Sequence, residues 1–329
     1  MQSKSHGIDD QFSQIKLDWL TVGRSYEFDL FVKLKGEYVL FCRKNLKLTQ
    51  QMAERLRNKG RIYVDGRETK MFQAYMEDNI GSIIKDVHKP LQEKSDAVYT
   101  VSASLVNDLL ESPKAQNISR IRDMVGNQLE YVMKNPGAVN SLMSITEHDY
   151  YTYTHSVNVA IYLVGLGKEL KLSSQEIQEL SLGGMLHDLG KSKISLDIIN
   201  STGKLTEEEF KEMQRHPELG VALLKELDAA SNMVPQNCYF TILHHHEKQC
   251  GGGYPCGMAG NDIHIYGRMC KVCDIFDALS TKRSYKEAMT TFDAIKLMKD
   301  KMISELDPEI FERFIGLMVN FSESERRKL

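Results

Sequence analysis

Seven side chains spread over residues 155–274 stand out as types that hold metal ions: His155, His187, Asp188, His216, His245, His246 and Asp274. Taken in order, His155, His187, His216, His245 and Asp274 are separated by 32, 29, 29 and 29 positions. Each interval is long enough for one helix and a connection, so a helical bundle could bring the whole ladder to one place. Imidazole and carboxylate are ligands that borderline divalent metals such as Fe, Mn, Zn or Ni accept, and five imidazoles with two carboxylates exceed what one ion takes. Two divalent ions are therefore expected. A single His on a helix is usually an ordinary core or surface group, but six of the ten His of the chain fall between 155 and 246. His6, His88, His148 and His264 are read as ordinary side chains.

The adjacent pair His187-Asp188 allows a carboxylate to bridge two ions while the imidazole binds one of them. Such a pair of ions would generate a strong nucleophile from water at neutral pH and neutralise charge on a phosphoryl group, which makes phosphoester hydrolysis the expected reaction. If the helix carrying His187 continues, Lys191 lies one turn further on the same face, where its ammonium would stabilise phosphate charge. Arg283, Tyr285 and Lys286 form a second cluster, in which a planar guanidinium fork, a point charge and a stacking ring could hold a nucleotide. The run Gly251-Gly252-Gly253-Tyr254-Pro255 permits close backbone approach to a ligand, and equally a plain surface turn.

Helices must position these groups. Ser173 with Glu176, and Thr206 with Glu209, fit capping boxes, each predicting a helix with ligands near its far end: His187-Asp188 in one, His216 in the other. Pro217 is expected to bend or break the second. Further helices are expected over Cys238 to His246 and Arg268 to Ser280. Upstream, residues 26–43 alternate apolar and polar side chains about Lys35-Gly36, with Phe28, Leu30, Val32 and Leu34 on one face, which predicts a β-hairpin. A helix capped by Thr49 and a strand at Arg61 to Val64 should complete a small α+β module. The expected organisation is a module at 1–70, a helical connecting region at 71–147, and a mainly α domain at 148–329.

A net charge of −3 gives no global attraction to polymeric nucleic acid or an anionic membrane, so an anionic ligand must be met by a local cluster. The polar N-terminus and the lack of a long apolar run predict a cytoplasmic protein without a membrane span. Six cysteines in a chain of 329 residues suggest reduced thiols rather than a disulfide framework. Cys270 and Cys273 could be half a zinc site, but with no second pair at suitable spacing they are read as small core residues.

Together, HDLGK at 187–191, His216-Pro217-Glu218-Leu219-Gly220, HHEKQCGGGYP at 245–255 and CDIFDALSTKRSYK at 273–286 resemble the HD-GYP family of cyclic dinucleotide phosphodiesterases. The resemblance covers roughly 145–320, and the first 70 residues look like a small module that often precedes such domains. It implies an all-helical HD-type phosphohydrolase domain that hydrolyses cyclic di-GMP to pGpG or GMP at a binuclear centre of iron or manganese. By motif, the metal ligands would be the seven residues named above. Asp188 and Lys191 would act on the phosphate, while Tyr254, Arg283, Tyr285 and Lys286 would line the substrate pocket. Asp277 and Glu247 look like supporting groups. Substrates other than cyclic di-GMP, such as 3′3′-cyclic GMP-AMP, and a receptor role without turnover remain alternatives, with a protein partner or homodimer formed through the N-terminal module. Cys250 and Ser284 stand where the family usually has Asp and Pro. Tyr151 stands where some members have a Glu associated with a third metal, which favours a two-metal centre.

Overall fold

The computed structural model describes residues 11–59, 61–146, 152–201, 203–282 and 287–326. The chain divides into two compact units, Met1–Val101 and Ser102–Leu329. The division falls inside the segment read from sequence as a helical connecting region.

In the first unit, β1 (Phe12–Ile15), β2 (Leu30–Leu34), β3 (Glu37–Cys42) and β4 (Ile62–Asp65) form an antiparallel sheet in the order β1-β4-β2-β3, with helix α1 (Gln50–Lys59) between β3 and β4. The expected hairpin is β2 and β3. Lys35 and Gly36 both take positive φ, 50° and 91°, the backbone that a tight two-residue hairpin turn requires. Phe28, Leu30 and Val32 are buried as the alternation implies, but Leu34, beside the turn, is 39% exposed. Thr49 caps α1 by accepting from the Met52 amide at 3.3 Å. Strand β1 is absent from the expectations because FSQI is too short to show a period; pairing with β4 creates it. Helices α2 (Thr69–Lys85) and α3 (Leu91–Glu111) follow, and the division between units lies within α3.

The described residues of the second unit are helical, without a strand: α4 (Ala115–Lys134), α5 (Ala138–Met143), α6 (Thr152–Glu169), α7 (Ser174–Leu186), α8 (Leu196–Ile199), α9 (Glu207–Met213), α10 (His216–Asp228), α11 (Gln236–His244), α12 (Ile265–Ser280), α13 (Thr291–Met302) and α14 (Pro308–Arg326). The mainly α fold expected from sequence is the fold observed. Helix α6 is buried on every side from Thr154 to Gly167, the mark of a central helix, with α5, α7, α12 and α14 packed around it. Both capping boxes are present, at Ser173/Glu176 and Thr206/Glu209.

Two helix boundaries differ from the sequence expectation. Helix α7 ends at Leu186, and Leu189–Lys193 is a 3₁₀ turn, so Lys191 does not ride on a continuous helix with His187. His216 does not close the helix opened by Thr206 either. That helix, α9, stops at Met213, and His216 begins α10 with Pro217 in its first turn, the position proline tolerates because no intrahelical donor is needed there. Among the described residues, no helix is long and apolar enough to cross a membrane.

Candidate metal centre

The ladder converges. His155 comes from α6, His187 caps the C-terminus of α7, Asp188 follows it, His216 opens α10, His245 caps α11, and Asp274 lies on α12. Ligand atoms of His155, His187 and Asp188 lie within 4.8 Å of one another, and so do those of His216, His245 and His246. Asp188 reaches both groups. Its Oδ2 is 3.4 Å from His187 Nε2 and 3.8 Å from His155 Nε2, and its Oδ1 is 3.5 Å from His216 Nε2. Asp274 Oδ1 lies 3.0 Å from His155 Nε2.

Helix ends explain which nitrogen of each imidazole faces inward. The last four carbonyls of a helix have no helical partner. His187, His216 and His245 each stand three residues past such a carbonyl, and their Nδ1 atoms donate to Gly184 at 2.7 Å, Met213 at 2.8 Å and Ile242 at 2.7 Å. His155 donates Nδ1 to the Asp277 carboxylate at 2.7 Å. Four imidazoles thus hold their proton on Nδ1 and present a bare Nε2.

This arrangement calls for a cation. His187 Nε2 and Asp188 Oδ1 are buried with no hydrogen-bond partner, and His216 Nε2 lies 3.1 Å from His245 Nε2, lone pair against lone pair. Protonation is a poor remedy, because burial holds the pKa of His187, His245 and His246 down and pushes His216 to about 4. Burial works to raise Asp188, but the Lys191 ammonium and the imidazoles outweigh it and keep the carboxyl well below its usual range. Asp274 is held low in the same way, with the neighbouring His155 imidazole opposing burial. Imidazole nitrogens and ionised carboxylates in this number fit divalent metal.

Lys191 Nζ sits 2.5 Å from Asp188 Oδ2, on the carboxylate that reaches both groups. Tyr254 stacks on His246 with ring centroids 4.6 Å apart, and burial raises its hydroxyl pKa. The loop bearing it is fixed from below: Glu247, buried, accepts from the amides of Cys256 at 2.6 Å and Met258 at 2.9 Å. A Cβ on Gly253 would stand 2.5 Å from the Glu247 Cα, so glycine is what lets the loop fold back onto His246. Arg283, Tyr285 and Lys286, together with Ser284 and Tyr151, lie outside the described residues. His244 turns away from the centre, its Nδ1 accepting from the His264 amide at 3.1 Å. Cys270 and Cys273 are buried in α12 with thiol pKa values raised by burial, and neither belongs to a metal-type cluster among the described residues.

A family model described as an HD domain matches residues 138–310. The chain belongs to the HD domain family. It is 36% identical over 202 residues to the cyclic di-GMP phosphodiesterase PA4108 of Pseudomonas aeruginosa, a match covering 61% of this chain and 48% of that protein. It is 34% identical over 161 residues to the 3′3′-cGAMP-specific phosphodiesterase 3 of Vibrio cholerae, covering 49% of this chain and 34% of that one. The chain thus spans about half the length of these curated relatives or less. The solved HDG"Y"P protein Bd1817 from Bdellovibrio bacteriovorus has the same fold, with a TM-score of 0.65 over 93% of this chain and 99% of that one at 19% identity.

In this HD domain three supporting residues escaped the sequence reading. Asn158 and Thr281 both bond to Asp277, and Gly190, inside HDLGK, lets the 3₁₀ turn press on α10: a Cβ there would lie 1.9 Å from the His216 carbonyl oxygen. The i, i+3 spacing of His155 and Asn158 was the available signal for the first.

Proposed function

We propose that this HD domain hydrolyses the phosphodiester bonds of cyclic di-GMP, to pGpG or on to GMP, at a centre of two divalent ions, iron or manganese. The observation that carries the reading is the Asp188 carboxylate spanning two groups of inward-facing ligand atoms. His155, His187, Asp188 and Asp274 would hold one ion, and His216, His245 and His246 with Asp188 the other. Bound there, the ions supply Lewis acidity toward phosphoryl charge and lower the pKa of water at the centre. The chain's own groups orient the substrate. The Lys191 ammonium, held on Asp188, is placed to meet a phosphate oxygen, and the Tyr254 ring forms a wall against which a base can stack. Arg283, Tyr285 and Lys286 would complete the pocket. A protein of this kind would work in the cytoplasm, without polymeric nucleic acid, and could meet a partner or a second copy through its first unit.

A second substrate is favoured by one observation: a relative of comparable identity is named as specific for 3′3′-cGAMP. Initial rates of the Mn- and Fe-loaded protein on a panel of cyclic dinucleotides separate the two readings. Cyclic di-GMP turnover that is lost in His187→Ala and Asp188→Ala proteins is expected. A metal-loaded protein that binds cyclic di-GMP and hydrolyses no member of the panel would establish a receptor instead.

A further inference from the structure

His155 differs from the other oriented imidazoles of the centre. His187, His216 and His245 rest on backbone carbonyls, which no side-chain exchange can remove, whereas His155 rests on a carboxylate. That carboxylate, Asp277, is fully buried, and an unrestrained buried carboxylate can turn either oxygen, or a proton, toward its neighbour. Its Oδ2 takes the His155 proton at 2.7 Å. Its Oδ1 is pinned by two donors, Asn158 Nδ2 at 2.9 Å and Thr281 Oγ1 at 2.9 Å. Thr281 is anchored on α12 itself, one turn beyond Asp277, with its amide bonded to the Asp277 carbonyl at 3.0 Å. Asn158 comes from α6, three residues after His155, so helical spacing places it on the same face as the ligand.

Asn158 is buried, and its amide also donates to the Thr146 carbonyl at 3.2 Å, which fixes the plane of the side chain. Thr146 is secured in turn by its hydroxyl, 2.7 Å from the Tyr162 hydroxyl of α6 and 2.8 Å from the Met143 carbonyl. His155, Asn158 and Tyr162 form a polar stripe at i, i+3 and i+7 on a helix that is buried from Thr154 to Gly167. A buried amide placed where Leu or Val would pack stabilises little by itself, since its hydrogen bonds replace those made to water. Its placement acts on the centre.

We propose that Asn158 is a positioning residue for the metal centre: by locking the Asp277 carboxylate, it fixes the proton on His155 Nδ1 and offers Nε2 to the ion. The proposal rests on the reading of His155 as a ligand, and its test reads metal binding and tautomer rather than turnover. In Asn158→Leu protein, Mn(II) affinity should fall about tenfold or more, the loss typical when a partner behind a ligand is removed. In the metal-free protein labelled with ¹⁵N-histidine, long-range ¹H–¹⁵N spectra should show His155, assigned by its disappearance in His155→Gln, moving from a pure Nδ1–H form to a mixture. Thr281→Val, which leaves Asn158 in place, should show the smaller change. An Asn158→Leu protein that keeps both its affinity and the Nδ1–H signature overturns the proposal.

If Asn158→Leu does not fold, Asn158→Ser, smaller and still polar, carries the test with the same two readouts. Its side chain is too short to reach Asp277, so Mn(II) affinity and the Nδ1–H signature should both fall, and a protein that keeps both overturns the proposal. Failure of the enzymatic reading leaves a different trace, a protein that binds metal as described and turns over nothing.

Discussion

Replacing Glu247 by Gln probes how the loop that carries Tyr254 is held. The carboxylate is 1% exposed and accepts two backbone amides, Cys256 at 2.6 Å and Met258 at 2.9 Å. Bonds to a charged acceptor contribute about 1.5–3 kcal/mol each. Gln keeps one acceptor oxygen, but turns an NH₂ group toward the other amide, so one charge-assisted bond is lost and two donors are set face to face. The bond to the retained oxygen also weakens to a neutral one. Together these changes should cost about 2–3 kcal/mol, all of it local to the loop. At 1.4 kcal/mol per factor of ten, opening of the loop becomes roughly 30- to 140-fold more frequent. Native-state hydrogen exchange measures this directly, and the Cys256 and Met258 amides should exchange faster by that factor. The amides of α6 should follow only the global stability. Fluorescence of the loop region is unsuited to the test, since the chain has one Trp and it lies at position 19. Unchanged protection at Cys256 and Met258 in Glu247→Gln would refute the account of how the loop is fixed.

Gly190→Ala should lower the unfolding midpoint steeply and reduce bound Mn, because its Cβ would lie 1.9 Å from the His216 carbonyl oxygen and 2.5 Å from the Gly220 nitrogen, both backbone atoms that cannot move aside; calorimetry and metal analysis check this. The metal-free protein should lose stability as pH falls. His216 has a folded pKa of about 4 against about 6.5 unfolded, so the unfolded chain takes up the proton first, the dependence is flat above about 6.5, and roughly 3 kcal/mol is lost on reaching about 4; urea titrations across that window read it. Lys191→Ala should destabilise the metal-free protein by about 3–5 kcal/mol, by stranding the buried Asp188 charge, and the loaded protein much less; turnover should fall while metal content holds, and an equal loss of both would remove the phosphate role. Chelation of the loaded protein should lower its thermal midpoint, and returning Mn should restore it.

The sequence revealed the candidate ligands, which the structure brings together, and hid much of what holds them. Imidazoles and carboxylates at near-regular intervals were visible because few other patterns use those residues in that order, and the capping boxes at Ser173 and Thr206 located the helices that lead to them. The hairpin turn at Lys35-Gly36 was equally plain, whereas β1 was not, since a four-residue strand has too few positions to show alternation and exists through its partner. The ends of α7 and α9 were misplaced for a related reason. Nothing in the local composition forbids the α7 helix from continuing through His187 to Lys191; the chain turns there because Gly190 lets the 3₁₀ segment press on α10. Asn158 and Thr281 were invisible as supports because their meaning depends on Asp277, more than a hundred residues from the one and four from the other.

Those helix ends connect the fold to the chemistry. Had α7 continued through Lys191, the Gly184 carbonyl would bond the Asp188 amide in the helical pattern, and His187 would lose the acceptor that fixes its proton. At His216 the sequence itself keeps the carbonyl open: the residue four beyond Met213 is Pro217, which has no N–H to offer it, so the imidazole takes the bond. With each helix stopping at the carbonyl residue or within two residues of it, a backbone acceptor is left at the candidate ligand, and the imidazole satisfies it while turning Nε2 to the centre. Breaks that look like lapses in a helical bundle are thus what set the tautomers at three of the candidate ligands. His155, which lies in the first turn of α6 rather than past the end of a helix, is the imidazole whose Nδ1 rests on a carboxylate from another helix.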